Sequence, residues 1–241
     1  MDYLKILTLV LLIIYTSILY LPMRFSIKNS TVIKRSCLSI SSLINSKINI
    51  AWEGIKVIYI VIIGLLPVIF IYNKGYVFYY NIFSGNKIWQ SIVLLILSII
   101  TIIEITFFIS IVIVNIVMGK DSRMEMSKVS WIKFDKNNPM YTALVRPIIF
   151  AIVEIILYYF IFLGLLVNLA NLPLVISIYI IAFLYSISRI IATKNISQGL
   201  IYGTFSFILN LLGGALIFYS GCLIYTIILY IIYYMLIAFK E

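Results

Sequence analysis

The stretch from Arg146 to Asn168, RPIIFAIVEIILYYFIFLGLLVN, constrains this chain most. It is apolar for long enough to cross a bilayer, and it carries one carboxylate, Glu154, about two turns in. A charge near the middle of a membrane helix costs roughly 2.5–3.5 kcal/mol on insertion scales. Such a group must face protein or water and find a partner, which makes Glu154 a candidate functional residue.

Further apolar runs surround it. With 64% hydrophobic and 11% charged residues among 241, the chain is expected to be all-α, a multi-pass transmembrane bundle of about seven helices. The runs are Leu4–Leu21, Val57–Tyr72 with Pro67 as a kink, Trp89–Met118, Arg146–Asn168, Pro173–Ile191, Gly199–Tyr219 and Cys222–Phe239. The first is too long for a signal-peptide core and is followed by no small-x-small cleavage site, so it is read as a retained helix. Two parts follow: residues 1–145 with three helices and two basic cytoplasmic loops, and residues 146–241 as a four-helix core. The first basic segment, 24–56, reads equally as an amphipathic surface helix or a solvated loop. The second, 119–145, reads as solvated, with Pro139 keeping any helix short. Residues 73–88 form an aromatic connection suited to the headgroup region.

The net charge of +10 does not imply nucleic acid, because the basic residues sit in separate inter-helix loops. They report topology instead. Segments 24–56, 119–146, 189–195 and 240–241 hold 15 of the 18 Lys and Arg residues, leaving Lys5, Lys74 and Lys87 on the other side. The expected arrangement is a cell-membrane protein with its N-terminus outside and its C-terminus cytoplasmic. Cys37 and Cys222 then lie at opposite faces and cannot pair. The chain has no histidine, which removes His-based zinc sites, general bases and proton relays together.

Four constellations could carry chemistry. Glu154 and Tyr158 share a helix face at four-residue spacing. Glu154 lies about 10 Å inside the cytoplasmic boundary, where Arg189 of the antiparallel fifth helix could reach it, as a site or as a structural buried ion pair. Glu104, near the middle of the third helix, reads either as a proton or substrate site or as a protonated acid bonded to a neighbour. The stripe Gly199, Gly203, Ser206, Asn210, Gly214 lets another helix approach closely, with Asn210 as the one member that could line a cavity. Tyr230 and Tyr234 share a face of the last helix, as site residues or as packing.

These positions carry a resemblance. The pattern of the CPBP intramembrane proteases, which include CAAX-processing and bacteriocin-associated proteins, is EExxxR, FxxxH, a GxxxG-like helix, a Thr-Gly-Ser-like turn and HxxxN or HxxxD. Over about residues 147–239 this chain resembles that frame. It has Val153-Glu154 through Tyr158 at the first motif, Phe183 and Ile187 at the second, and Asn210 and Gly214 in the helix. Ser220-Gly221-Cys222 stands at the turn, and Tyr230 and Tyr234 at the last motif. A two-residue slip would place Arg189 at the second motif's histidine position; the Phe183 register is preferred. Only Glu154 survives among the catalytic positions, so the resemblance implies a degenerate member unable to hold the family's metal.

The expectation is therefore a non-catalytic membrane protein without metal or cofactor, in contact with the lipid bilayer. It would bind a membrane-embedded peptide or another membrane protein, in a setting such as bacteriocin immunity. Two alternatives stand beside it. One is an active membrane endopeptidase with an unorthodox Glu154 site, to which Glu104 could contribute. The other is a permease subunit of a peptide or ABC-type exporter.

Overall fold

A computed structural model describes residues 2–25, 30–44, 48–76, 88–129 and 140–238. The described residues form an all-α bundle with no strand. Its helices are α1 (Asp2–Arg24), α2 (Thr31–Ile44), α3 (Ile48–Ile71), α4 (Ile88–Phe108), α5 (Ser122–Ser127), α6 (Arg146–Ile155), α7 (Leu174–Ala192), α8 (Ile196–Ser220) and α9 (Ile224–Ala238). α4 continues with wider, π-helical turns over Ile109–Val117, and α6 over Ile156–Phe162 and Leu165–Leu169. Among the described residues six helical stretches are long and apolar enough to cross a bilayer, and Ile224–Leu236 is a shorter apolar one. This is the architecture of a multi-pass membrane protein.

The helix bounds differ from the sequence reading mainly at the charged ends. α3, the second apolar run of the sequence reading, starts at Ile48, not Val57, because its polar first turns find partners within the protein. Trp52 Nε1 donates to Phe25 O at 3.2 Å, and Lys56 pairs with Glu53 at 2.6 Å. Between residues 24 and 56 a helix forms, α2, and packs on α3. The second charged segment is not wholly solvated. Asp121 caps α5 by accepting from Arg123 N, and α5 docks on α8. Residues 130–139 with Pro139, residues 77–87 of the aromatic connection, and Lys240 and Glu241 lie outside the described residues.

α1 and α3 each contain a proline and repair each other. Pro22 has no N–H for the carbonyl of Ile18, and Tyr59 OH on α3 donates to that oxygen at 2.9 Å. Pro67 likewise deprives the carbonyl of Ile63, and Tyr15 OH on α1 donates there. In lipid, where water cannot supply the missing donor, this exchange keeps both helices viable.

α7 and α8 pack closely through glycines. A Cβ at Gly214 would lie 2.6 Å from Ile178 Cγ2, and one at Gly203 would lie 2.8 Å from Ile190 Cγ1. α8 ends at Gly221, whose φ of 65° closes the helix with its N–H on Ile217 O. α1 packs on α7, α4 on α8 and α9, α3 and α9 on α6, so α6 lies inside the bundle. One core joins both halves of the chain, from Leu19, Tyr20 and Ile60 to Ile155, Tyr185 and Tyr233.

The basic segments gather at one end of the bundle. Glu53 approaches Arg146 at 3.7 Å, and Lys120 Nζ donates to Ser197 Oγ. Asn195 Nδ2 donates to Glu125 Oε2. The α8–α9 turn with Cys222 is at the other end, and Cys37 and Cys222 form no disulfide.

Candidate functional site

The site is built around the Glu154 carboxylate, 1% exposed in the centre of the bundle. Arg189, on α7, brings Nη2 to 2.6 Å from Oε1. Tyr20 of α1 donates to the same oxygen at 2.6 Å. The other oxygen, Oε2, accepts from Tyr185 of α7 at 2.6 Å and from Tyr234 of α9 at 2.5 Å. Four helices thus meet on one carboxylate, and each oxygen has two donors. Arg189 Nη2 is also within hydrogen-bond reach of Tyr185 OH and Tyr234 OH. Its guanidinium lies 4.7 Å from the ring centre of Tyr185, 5.1 Å from Tyr20 and 5.5 Å from Tyr234. A planar, delocalised cation among electron-rich faces is stabilised where an ammonium would be less well matched.

Local sequence explains the convergence. Tyr185 and Arg189 are four apart on α7 and so present one face together. The next turns of α7 supply Ser188, whose hydroxyl donates back to Tyr185 O at 2.5 Å, and Ser186, which donates to Gly203 O on α8 at 2.8 Å. Polar side chains spend their hydrogen bonds on backbone and leave the tyrosine phenols for the carboxylate.

The structure sorts the sequence candidates. It brings Glu154, Arg189 and Tyr234 together. Tyr158 stays off the carboxylate: its ring packs edge-on against Tyr185 and Phe162. Beyond Ile155 the chain of α6 turns π-helical, which carries Tyr158 off a simple four-residue face. Val153 packs against α3, where its Cγ1 would lie 2.6 Å from a Cβ at Gly64. Phe183 points outward, 59% exposed, and Ile187 is half-buried; the inward face of α7 carries Tyr185 and Arg189 instead. Tyr230 accepts from Asn210 Nδ2 at 2.7 Å, and Tyr159 donates to the Asn210 carbonyl. Asn210 is therefore tied between α6 and α9 and fully buried. Glu104 is not near this site: it is exposed on α4.

Two members were not foreseen. Tyr20 lies 134 residues from Glu154, and no local pattern links them. Tyr185 had a signal, its four-residue spacing to Arg189.

Among the described residues no three of His, Cys, Asp and Glu come together as metal ligands. A cleft of about 400 Å³ lies elsewhere, at the basic end, lined by Arg24, Thr193, Lys194 and Asn195 among others.

A family model matches residues 92–241, more than half of the chain. The chain belongs to the DUF5968 family, a family of unknown function. The matched region runs from within α4 to the C-terminus and contains Glu104, Glu154, Tyr185, Arg189 and Tyr234; Tyr20 comes from outside it. The resemblance to CPBP proteases over residues 147–239 is thereby corrected, since that stretch falls within the DUF5968 match and no CPBP match is found. The spacings that suggested it are those of any bundle with small residues on one helix and aromatics on the next. No curated protein and no solved structure matches the chain.

Proposed function

We propose that this DUF5968 protein is a non-catalytic membrane component that binds a partner within the bilayer. One observation carries the reading: Glu154 is fully committed. A general base needs a lone pair aimed at substrate, and a nucleophile needs an approach path. Both oxygens of Glu154 are already occupied by Arg189 and three tyrosines, in a site closed on every side. The cluster acts as a latch joining α1, α6, α7 and α9, and its energetics are those of a satisfied buried ion pair. Function then falls to the outward faces of the bundle.

The same reading places the protein in the cell membrane with its basic end in the cytoplasm, supported by the 15-to-3 distribution of Lys and Arg. In a protein with Cys37 and Cys222 replaced, Arg123→Cys should be shielded from an impermeant thiol reagent in intact cells and Lys74→Cys should react. The reverse pattern would invert the topology.

The test of the non-catalytic reading is direct. The purified protein in liposomes, incubated with a panel of quenched-fluorescent transmembrane peptides, should give no turnover. Turnover that disappears in a Glu154→Gln protein of unchanged fold would overturn it.

A further inference from the structure

The chain holds a second intramembrane acid in the opposite situation. Glu104 is exposed on α4 and makes no hydrogen bond or ion pair with the described residues. The helical stretch Ile88–Val117 has 30 residues, and a bilayer core takes about 20. Every 20-residue window within it contains Glu104. The next charges along the chain, Lys87 and Lys120, are 17 and 16 residues away, about 24 Å or more of helix. A glutamate side chain cannot snorkel that far.

The opposite face of α4 is the one packed in the bundle, through Ser91, Leu95, Ser98 and Ile102. Around Glu104 the outward face is formed by Leu97, Ile100, Ile103, Phe107 and Phe108, all exposed. A carboxylate in the middle of a lipid-facing apolar surface is unfavourable until something complements it. The described spans of a second copy present no basic group at that depth on an outward face. In the described spans Arg189 and Arg146 are buried, Lys56 is buried against Glu53, and Lys5 and Arg24 lie at the ends of α1.

We propose that the outward face of α4 around Glu104 is a docking surface for a transmembrane helix of another protein that carries one Lys or Arg near its middle. The proposal rests on the partner-binding reading and names the partner's chemistry. The basic side chain pairs with Glu104 out of water, while Ile100, Ile103, Phe107 and Phe108 pack along the incoming helix.

The probe is a synthetic leucine–alanine transmembrane peptide with a single central Lys, and its all-apolar counterpart. Energy transfer from dye-labelled peptide to the labelled full-length protein is measured in phosphatidylcholine liposomes. The Lys peptide should associate about tenfold more strongly than the apolar one. Glu104→Gln should remove that preference, and Glu104→Asp should keep part of it. Glu104→Lys should prefer a peptide with a central Glu, which keeps the test informative if any one variant folds poorly. Equal association of the two peptides, or a preference that survives Glu104→Gln, would overturn the proposal. So would a wild-type dimer abolished by Glu104→Gln, which would assign the face to a second copy. These outcomes leave the turnover assay untouched, so failure of the docking face and failure of the non-catalytic reading are separable.

Discussion

Removing either member of the Glu154–Arg189 pair should destabilise the bundle more than removing both. Arg189→Met leaves a carboxylate that is 1% exposed, still bonded to three tyrosines but without its cation. Glu154→Gln leaves a buried guanidinium, and its amide nitrogen can no longer accept from two of the phenols. Breaking a buried pair by one partner costs about 3–5 kcal/mol. Methionine fills much of the arginine volume, so the double variant loses the charge problem and retains most of the packing. It should therefore lose less than either single variant, which requires a coupling of at least about 3–5 kcal/mol against the sum of the single losses. Tyr234→Phe removes one bond to the carboxylate and one from Arg189, and should cost about 1.5–3 kcal/mol, the range for hydrogen bonds to charged groups. Reversible unfolding in mixed micelles, followed by tyrosine fluorescence and circular dichroism, reads these differences. Strictly additive single losses, or single losses below about 1 kcal/mol, would refute the latch.

Three further outcomes are expected. Tyr15→Phe and Tyr59→Phe should each cost about 1–2 kcal/mol in the same assay, since each strands a proline-orphaned carbonyl, and pairing Tyr59→Phe with Pro22→Ala should restore most of the loss. Gly214→Ala should cost about 1–3 kcal/mol, because the new methyl meets the stiff, β-branched Ile178, whereas Gly54→Ala, with open space around it, should be neutral or better. Lowering pH should release α5 from α8. Lys128 and then Asn195, hydrogen-bonded to Glu125, hold its carboxyl below the usual glutamate range. A lowered folded-state pKa gives stability that is complete above the unfolded value near 4.3 and lost as pH falls through the lower folded one. Protection of the amides over Ser122–Ser127, taken relative to their intrinsic exchange rate at each pH, should therefore fall on acidification, and Glu125→Gln should remove that fall.

Much of the fold was legible because lipid imposes strict rules. Apolar runs of bilayer length, the kink at Pro67 and a glycine stripe on α8 are readable one helix at a time, and the observed helices follow the runs to within a few residues except at α3. The extra turns of α3 were hidden because they depend on Trp52 reaching Phe25 and on Lys56 pairing with Glu53. The site was legible only in part, for the same reason. Glu154 and Arg189 announce themselves as charges that need partners. The phenols do not, since tyrosine is abundant throughout this chain, and whether Tyr20 or Tyr158 reaches the carboxylate depends on helix packing and on the π-helical turns of α6.

The contrast between the two acids shows where a readable signal was present. Glu104 and Glu154 look alike in sequence, each alone in a long apolar run. On α4, however, Ser91 and Ser98 are seven residues apart, the spacing of a seam where small side chains let helices approach. At about 100° per residue, Glu104 lies about 180° from Leu95 and about 160° from Ile102. It therefore points away from the serine seam, and the serines, Leu95 and Ile102 are the residues that α4 buries. On α6 the outward face is a narrow stripe through Ile148 and Ile152, and Glu154, about 160° from Ile152, lies on the buried side with Phe150, Ala151, Leu157 and Tyr158. A polar seam marks a helix with an outside, and an acid opposite the seam is placed for a partner the chain does not itself contain. An acid on the buried side of its helix is placed for the chain's own arginine.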